Sequence, residues 1–270
     1  MLLDDQGLMA WVSESGEVIA DVATESGPDA AIAGCGDWTM TDLLGHVAPM
    51  YSGWYLYNLT HSPGEGDVAA AMSSAPEMPS THDARIHYLR DACERFDAEA
   101  RSVDLDADVW AFWMTRPARY WLLRAATEFA VHAWDAQTVL GSATPIGADR
   151  SATAIDETLR GMWPGLVELG RRGIILEQPP ALPDEPAGMI ATDSGHAWEI
   201  SQMNGEIEVT AVSNPPATSV SGRGHDLVMY QWGRKPTTEP DVAGDQAIAD
   251  AWNLYCATSV AQQQARRREN

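Results

Sequence analysis

The spacing of apolar residues changes period part-way along the chain, and that change limits what the chain can fold into. Up to about residue 169 apolar side chains recur three and four positions apart, the spacing of amphipathic helices. After Gly173 the helical period gives way to short alternating or β-branched runs. Between the two lies 177–188, a stretch holding four prolines that reads as an interdomain linker. The expected class is therefore mainly α plus α+β, with a helical bundle over 1–172, a linker over 173–188 and a small α+β domain over 189–270.

Five helices are expected before the linker. The first covers 6–26 with Leu8, Trp11, Val12, Val18, Ile19 and Val22 close to helical spacing. The second covers 39–59, opened by Thr39 and Asp42 spaced as a capping box. The third covers 80–101, with Ser80 and Asp83 as the cap pair and Ile86, Leu89, Cys93 and Phe96 as its stripe. Pro117 suits the first turn of a fourth helix that stops at Gly141. A fifth covers 149–169, and 61–79, rich in Gly, Pro and Ser, reads as a long loop. Strands are expected over 189–192, 197–202, 206–212 and 218–221, with Asn204-Gly205 as a type I′ hairpin turn. Helices over 224–234 and 245–264 complete the chain.

Charge and cysteine content narrow the function classes. Asp and Glu number 39 against 17 Lys and Arg, a net charge of −22. So acidic a chain is repelled by phosphate backbones, and the one basic cluster, Arg266 to Arg268, reads as a solvated tail. No apolar run reaches the roughly 20 residues that span a bilayer, and the start lacks a basic, then apolar, signal segment. Neither nucleic acid nor membrane is an expected partner, and a cytoplasmic location follows. Cys35, Cys93 and Cys256 show no CxxC spacing and read as buried apolar residues, not as a disulfide or zinc framework.

The chemistry-bearing candidates lie on the second and fourth helices. Glu128 and His132 are four apart and so share a helix face. A lone pair of this kind is more often a hydrogen-bonded surface pair. His46 adds to it, since it lies beside the apolar stripe of the second helix, and bundle sites are built from inward side chains on facing helices. His46, Glu128 and His132 would form a His₂Glu set suited to zinc, with one coordination position left open. Spacing leaves the alternative, satisfied core histidines, equally open. Asp135 could orient His132 or form a surface salt bridge. Arg119 and Arg124 could hold a carboxylate, with a structural salt bridge the better reading for Arg124. His225 and Asp226 read as capping residues, and the tryptophans around the fourth helix, Trp110, Trp113, Trp121 and Trp134, as core.

Three segments carry a family resemblance. Trp38-Thr-Met-Thr-Asp42-Leu-Leu-Gly-His46-Val is similar to the "W-t-x-x-D-L-x-x-H" segment of the mycothiol-dependent maleylpyruvate isomerase family, within the DinB-like superfamily. Arg124-Ala-Ala-Thr-Glu128-Phe-Ala-Val-His132-Ala-Trp134-Asp135-Ala136 resembles its "R-x-x-x-E-x-x-V-H-x-W-D-A" helix. Ala217 through Arg234, ending Trp232-Gly-Arg234, resembles the C-terminal signature "a-x-x-x-x-G-x-x-x-D-L-x-x-x-x-W-G-R". The resemblance implies a DinB-like four-helix bundle with a divalent metal, usually zinc, followed by an α+β domain. Its metal ligands fall on His46, Glu128 and His132, and an arginine implicated in activity falls on Arg234, the candidate catalytic residue.

The function so implied is a mycothiol-dependent metalloenzyme. The thiolate of mycothiol, or of a similar small thiol, adds to an activated double bond, the bond rotates, and elimination gives the trans isomer. A mycothiol S-transferase and a non-enzymatic binding protein of the same fold are the alternatives. The expected partners are a small-molecule substrate and the thiol, with the chain a monomer or a homodimer.

Overall fold

The computed structural model describes residues 2–111, 114–141, 143–171 and 181–253. Helix α1 (Asp5–Ser26) starts where Asp4 accepts a hydrogen bond from the Gly7 amide and ends at Gly27, whose φ is 79°. Leu8, Trp11, Val12, Ile19 and Val22 are buried as expected, while Val18 lies at the edge of that face and is only half-buried. Helix α2 (Met40–Pro49) opens on the expected capping box of Thr39 and Asp42. It continues through a π turn over Met50–Trp54 into α3 (Tyr55–Thr60). Pro49 has no amide hydrogen to donate to the helix ladder, and a widened turn follows it directly.

The expected loop 61–79 contains a short helix, α4 (Val68–Ser73), capped by Asp67. It lies close to the bundle, since a Cβ on Gly53 would overlap the Ala75 backbone and one on Gly66 would overlap Trp110. Helix α5 (His82–Ser102) is capped by Thr81, one residue later than expected, because the Thr81 hydroxyl accepts from the Ala84 amide.

A two-stranded hairpin, β1 (Asp108–Ala111) and β2 (Met114–Pro117), precedes α6 (Arg119–Thr138). Pro117 therefore ends a strand and does not sit in the first turn of the helix. Helix α6 packs on α1, α2 and α3, while α5 packs on α1, α2 and α3, which makes a four-helix bundle. Tyr51, Phe96 and Phe129 fill its centre, with Tyr51 and Phe129 stacked at 3.4 Å between ring centroids.

The chain divides into two compact units, Leu3–Pro145 and, from Ile146 onward, a second. The second begins with α7 (Ala148–Glu157), a π turn over Thr158–Met162, and α8 (Trp163–Arg171). These match the expected fifth helix, but α7 packs on a helix of the second unit and the π turn and α8 pack on its sheet. The bundle thus closes at Pro145, earlier than the boundary at 172. The apolar period could not show this, because it reports a buried face and not which neighbour buries it.

The second unit holds a sheet of five strands in the order β5-β4-β3-β6-β7. These are β3 (Ala187–Ala191), β4 (His196–Met203), β5 (Glu206–Ala211), β6 (Ser219–Gly222) and β7 (Asp241–Ala243). β3 is central, antiparallel to β4 and parallel to β6, with Gly188 opposite Ser219. β4 and β5 form the expected hairpin, where Asn204 (φ 53°) and Gly205 (φ 82°) both take the positive φ that a type I′ turn requires. Helix α9 (Gly224–Gln231) follows β6 and buries Leu227, Val228 and Met229. Of the expected linker, 172–180 lies outside the described residues, as do Trp113, Cys256, the arginine tail and the end of the helix 245–264. Among the described residues no helix is long and apolar enough to cross a membrane.

Candidate metal centre

Local structure in the first unit aims three donors at one point. Residues 31–39 form a tight loop in which the Ile32 amide bonds the Trp38 carbonyl and Gly36 takes a φ of 67°. The loop presents Cys35 and Trp38 toward the bundle and hands the chain to the Thr39 cap. One turn and a half into α2 lies His46, and on α6, Glu128 and His132 occupy successive turns of one face.

Nε2 of His46 and Nε2 of His132 each lie 3.4 Å from the same oxygen, Oε1 of Glu128. The three donor atoms all fall within 4.8 Å of one another. A tetrahedral ion with bonds of about 2.0–2.1 Å to nitrogen and oxygen separates its ligand atoms by about 3.3–3.4 Å. The two edges at Glu128 match that figure and the third is no longer than 4.8 Å, so the donor set suits a cation of zinc's size. Trp38 walls the site, its ring centroid 5.2 Å from that of His46 and 6.2 Å from that of His132.

A second layer of contacts fixes two of the three donors, His132 and Glu128. Nδ1 of His132 donates to Oδ2 of Asp135 at 3.0 Å, which leaves Nε2 facing the centre. The same oxygen accepts the Cys35 thiol at 3.3 Å. Oε2 of Glu128, the oxygen turned away from the histidines, is held by the Arg124 guanidinium. Asp135 and Cys35 are fully buried and Arg124 and His132 nearly so. The structure thus brings together all three ligands expected from the sequence. It makes Asp135 the orienting partner of His132, and it gives Cys35 a polar role that its reading as an apolar residue missed. A second donor group, Cys35, His132 and Asp135, is also close enough to share an ion, but there Asp135 lies on the Nδ1 side of the same imidazole.

Electrostatics follow from this arrangement. Burial pushes the Glu128 carboxyl up, but hydrogen bonds to His132 and His46 and the Arg124 charge outweigh it, and Glu128 is held well below the usual carboxylate range. Burial also favours neutral His132, yet its bonds to Asp135, Cys35 and Glu128 prevail and push it well above the usual imidazole range. The pocket is therefore set up for positive charge between these groups, whether a proton or a cation supplies it.

The other candidates fall elsewhere. Arg119 pairs with Asp5 and Asp106, a surface ion pair. His225 does not cap a helix, since its Nδ1 accepts from the Ile146 amide; Asp226 instead accepts from the amides of Thr237 and Thr238. Arg234 lies in the second unit just past α9. Gly233 takes a φ of 65°, and the Arg234 amide bonds back to the Met229 carbonyl, a Schellman end that explains the Trp-Gly-Arg run. Arg234 is 6% exposed, with Nη1 donating to the Trp232 carbonyl at 2.9 Å.

A four-helix bundle with His, Glu and His converging across two facing helices belongs to the class of bundle proteins whose core donors can hold a divalent ion. Residues 7–137, nearly the whole of the first unit, match the family model of the mycothiol maleylpyruvate isomerase N-terminal domain. The crystal structure of a mycothiol-dependent maleylpyruvate isomerase shares the fold, with a TM-score of 0.53 and 16% sequence identity over 89% of this chain and 93% of that one. A mutant of such an enzyme aligns over 88% of this chain and 97% of its own, with 15% identity and a TM-score of 0.49. No curated protein matches the sequence significantly.

Proposed function

We propose that the chain is a thiol-dependent metalloenzyme of the maleylpyruvate isomerase type, using mycothiol or a similar small thiol. The observation that supports this reading is the pair of 3.4 Å separations around Glu128 Oε1, in a domain of this family. His46, Glu128 and His132 would hold one divalent ion, with zinc suited to the donor set and the fourth position open. When bound, such an ion lowers the pKa of a coordinated thiol, so that a thiolate is available near neutral pH.

The chain's own residues do the rest. Asp135 keeps Nε2 of His132 turned inward, Arg124 neutralises the outer oxygen of Glu128, and Trp38 closes one wall against water. Arg234 serves as the anion-holding group, since a planar guanidinium suits a carboxylate. Mycothiol or a similar thiol, once bound, would supply a sulfur nucleophile able to add reversibly to an activated double bond, and the product would be the trans isomer. An S-transferase needs the same thiolate and differs only in that the thiol stays attached.

Elemental analysis of the parent beside His132→Ala tests the site. About one ion per chain in the parent and a loss in the variant is expected; equal content in both removes the site from α6. A thermal-shift screen of small thiols then tests thiol use, and product analysis with maleylpyruvate and with an alkylating electrophile separates isomerisation from S-transfer.

A further inference from the structure

Glu128 is a carboxylate with two oxygens and two different neighbourhoods. Oε1 faces both imidazoles, and Oε2 is engaged by the guanidinium of Arg124, one helical turn before it on the same face of α6. Arg124 has only 8% of its side chain exposed, so water does not compete effectively for Oε2. A carboxylate left to itself near a divalent ion can supply one oxygen or both. If both bind, the open position of a three-ligand site fills and a small thiol has nowhere to coordinate.

We infer that Arg124 is a positioning residue that holds Glu128 as a one-oxygen ligand and so keeps the fourth coordination position open. This rests on the metal reading proposed above. Arg is suited to the task because it stays charged and its planar fork fixes direction, whereas Lys offers a point charge with no set orientation. The pairing also offsets the negative charge of Glu128 from the outer side, and second-layer partners of this kind are worth about 10- to 100-fold in metal affinity.

Cobalt(II) replaces zinc in such sites, and a thiolate bound to it gives a sulfur-to-cobalt charge-transfer band in the near ultraviolet, so that band reports whether the fourth position is open to a thiol. The test titrates Co²⁺ and then 2-mercaptoethanol into the metal-free parent, Arg124→Gln and Arg124→Lys, and follows absorption, affinity and far-UV circular dichroism. The parent should give the charge-transfer band. Arg124→Gln should bind cobalt about 10- to 100-fold more weakly and give little or no band at the same thiol concentration, and Arg124→Lys should fall between them. Parent-like spectra and affinities in both variants overturn the inference. Should Arg124→Gln fail to fold, X-ray absorption on the zinc-loaded parent decides the matter alone: one carboxylate oxygen supports the assignment, two overturn it. A parent that binds neither ion defeats the metal reading itself, an outcome distinct from normal binding that is insensitive to Arg124.

Discussion

Oδ2 of Asp135 receives the Nδ1 proton of His132 at 3.0 Å, and in doing so decides which nitrogen of His132 faces Glu128. Asp135→Asn can present its amide to Nδ1 and so favour the opposite tautomer. We expect the variant to fold, to bind zinc about 10- to 100-fold more weakly, and to show this in competition with a chelator. Unchanged affinity would assign Asp135 to packing alone.

Gly16 of α1 faces Cys93 of α5, and a Cβ on Gly16 would overlap the Cys93 sulfur. Gly16→Ala gains up to about 1 kcal/mol of helix propensity but incurs about 1–3 kcal/mol of overpacking. A lower urea midpoint is expected, recovered in part when Cys93→Ala is added. Additive effects of the two changes would show that the contact is not shared.

Burial pushes the Cys93 thiol up from 9.0 to about 12, with the nearby Glu17 charge acting in the same direction. The folded chain therefore keeps a proton that the unfolded chain releases above pH ~9. Its stabilisation is complete below that pH and is lost as pH rises toward 12, at a slope of up to about 1.4 kcal/mol per unit. Tyr51, also raised by burial and by its neighbour Cys93, acts with the same sign at higher pH. Urea unfolding at pH 8, 9 and 10 should show a falling midpoint in the parent and a flatter course in Cys93→Ala. Equal slopes would place the alkaline sensitivity elsewhere.

If Arg234 holds an anionic substrate, Arg234→Lys should keep its melting temperature within a few degrees and lose most turnover. The side chain is nearly buried and bonds the Trp232 carbonyl, so a structural role makes a clear counter-prediction. Loss of stability and activity together would assign it to the end of α9.

All three donors of the site lie between Leu3 and Pro145, within one compact unit. A fragment covering residues 3–145 is therefore expected to fold and bind about one zinc per chain, and to lack turnover. Elemental analysis and a thiol-dependent assay check this. Full activity in the fragment would remove Arg234 from the reaction.

The convergence of His46, Glu128 and His132 was readable because helical spacing places Glu128 and His132 on one face and His46 beside an apolar stripe. The second layer was less readable. The spacing of Asp135 from His132 allowed either an orienting bond or a surface pair, and only burial of Asp135 decides between them. Cys35 lies a hundred positions from Asp135, so nothing local pointed to their contact. The hairpin over 108–117 escaped notice because its strands are four residues long, too short for a period to register. β7, with three residues, escaped for the same reason.

The turn at Asn204-Gly205 carries a consequence for the order in which the second unit assembles. β4 and β5 meet across two residues, whereas β3 must wait for β6, about thirty positions downstream, before its other edge is covered. Closing the short loop loses little chain entropy and closing the long one loses more. The rate-limiting step is then expected to be capture of β6 by a preformed three-stranded ribbon, so that substitutions in the turn alter how fast the unit unfolds less than how fast it folds.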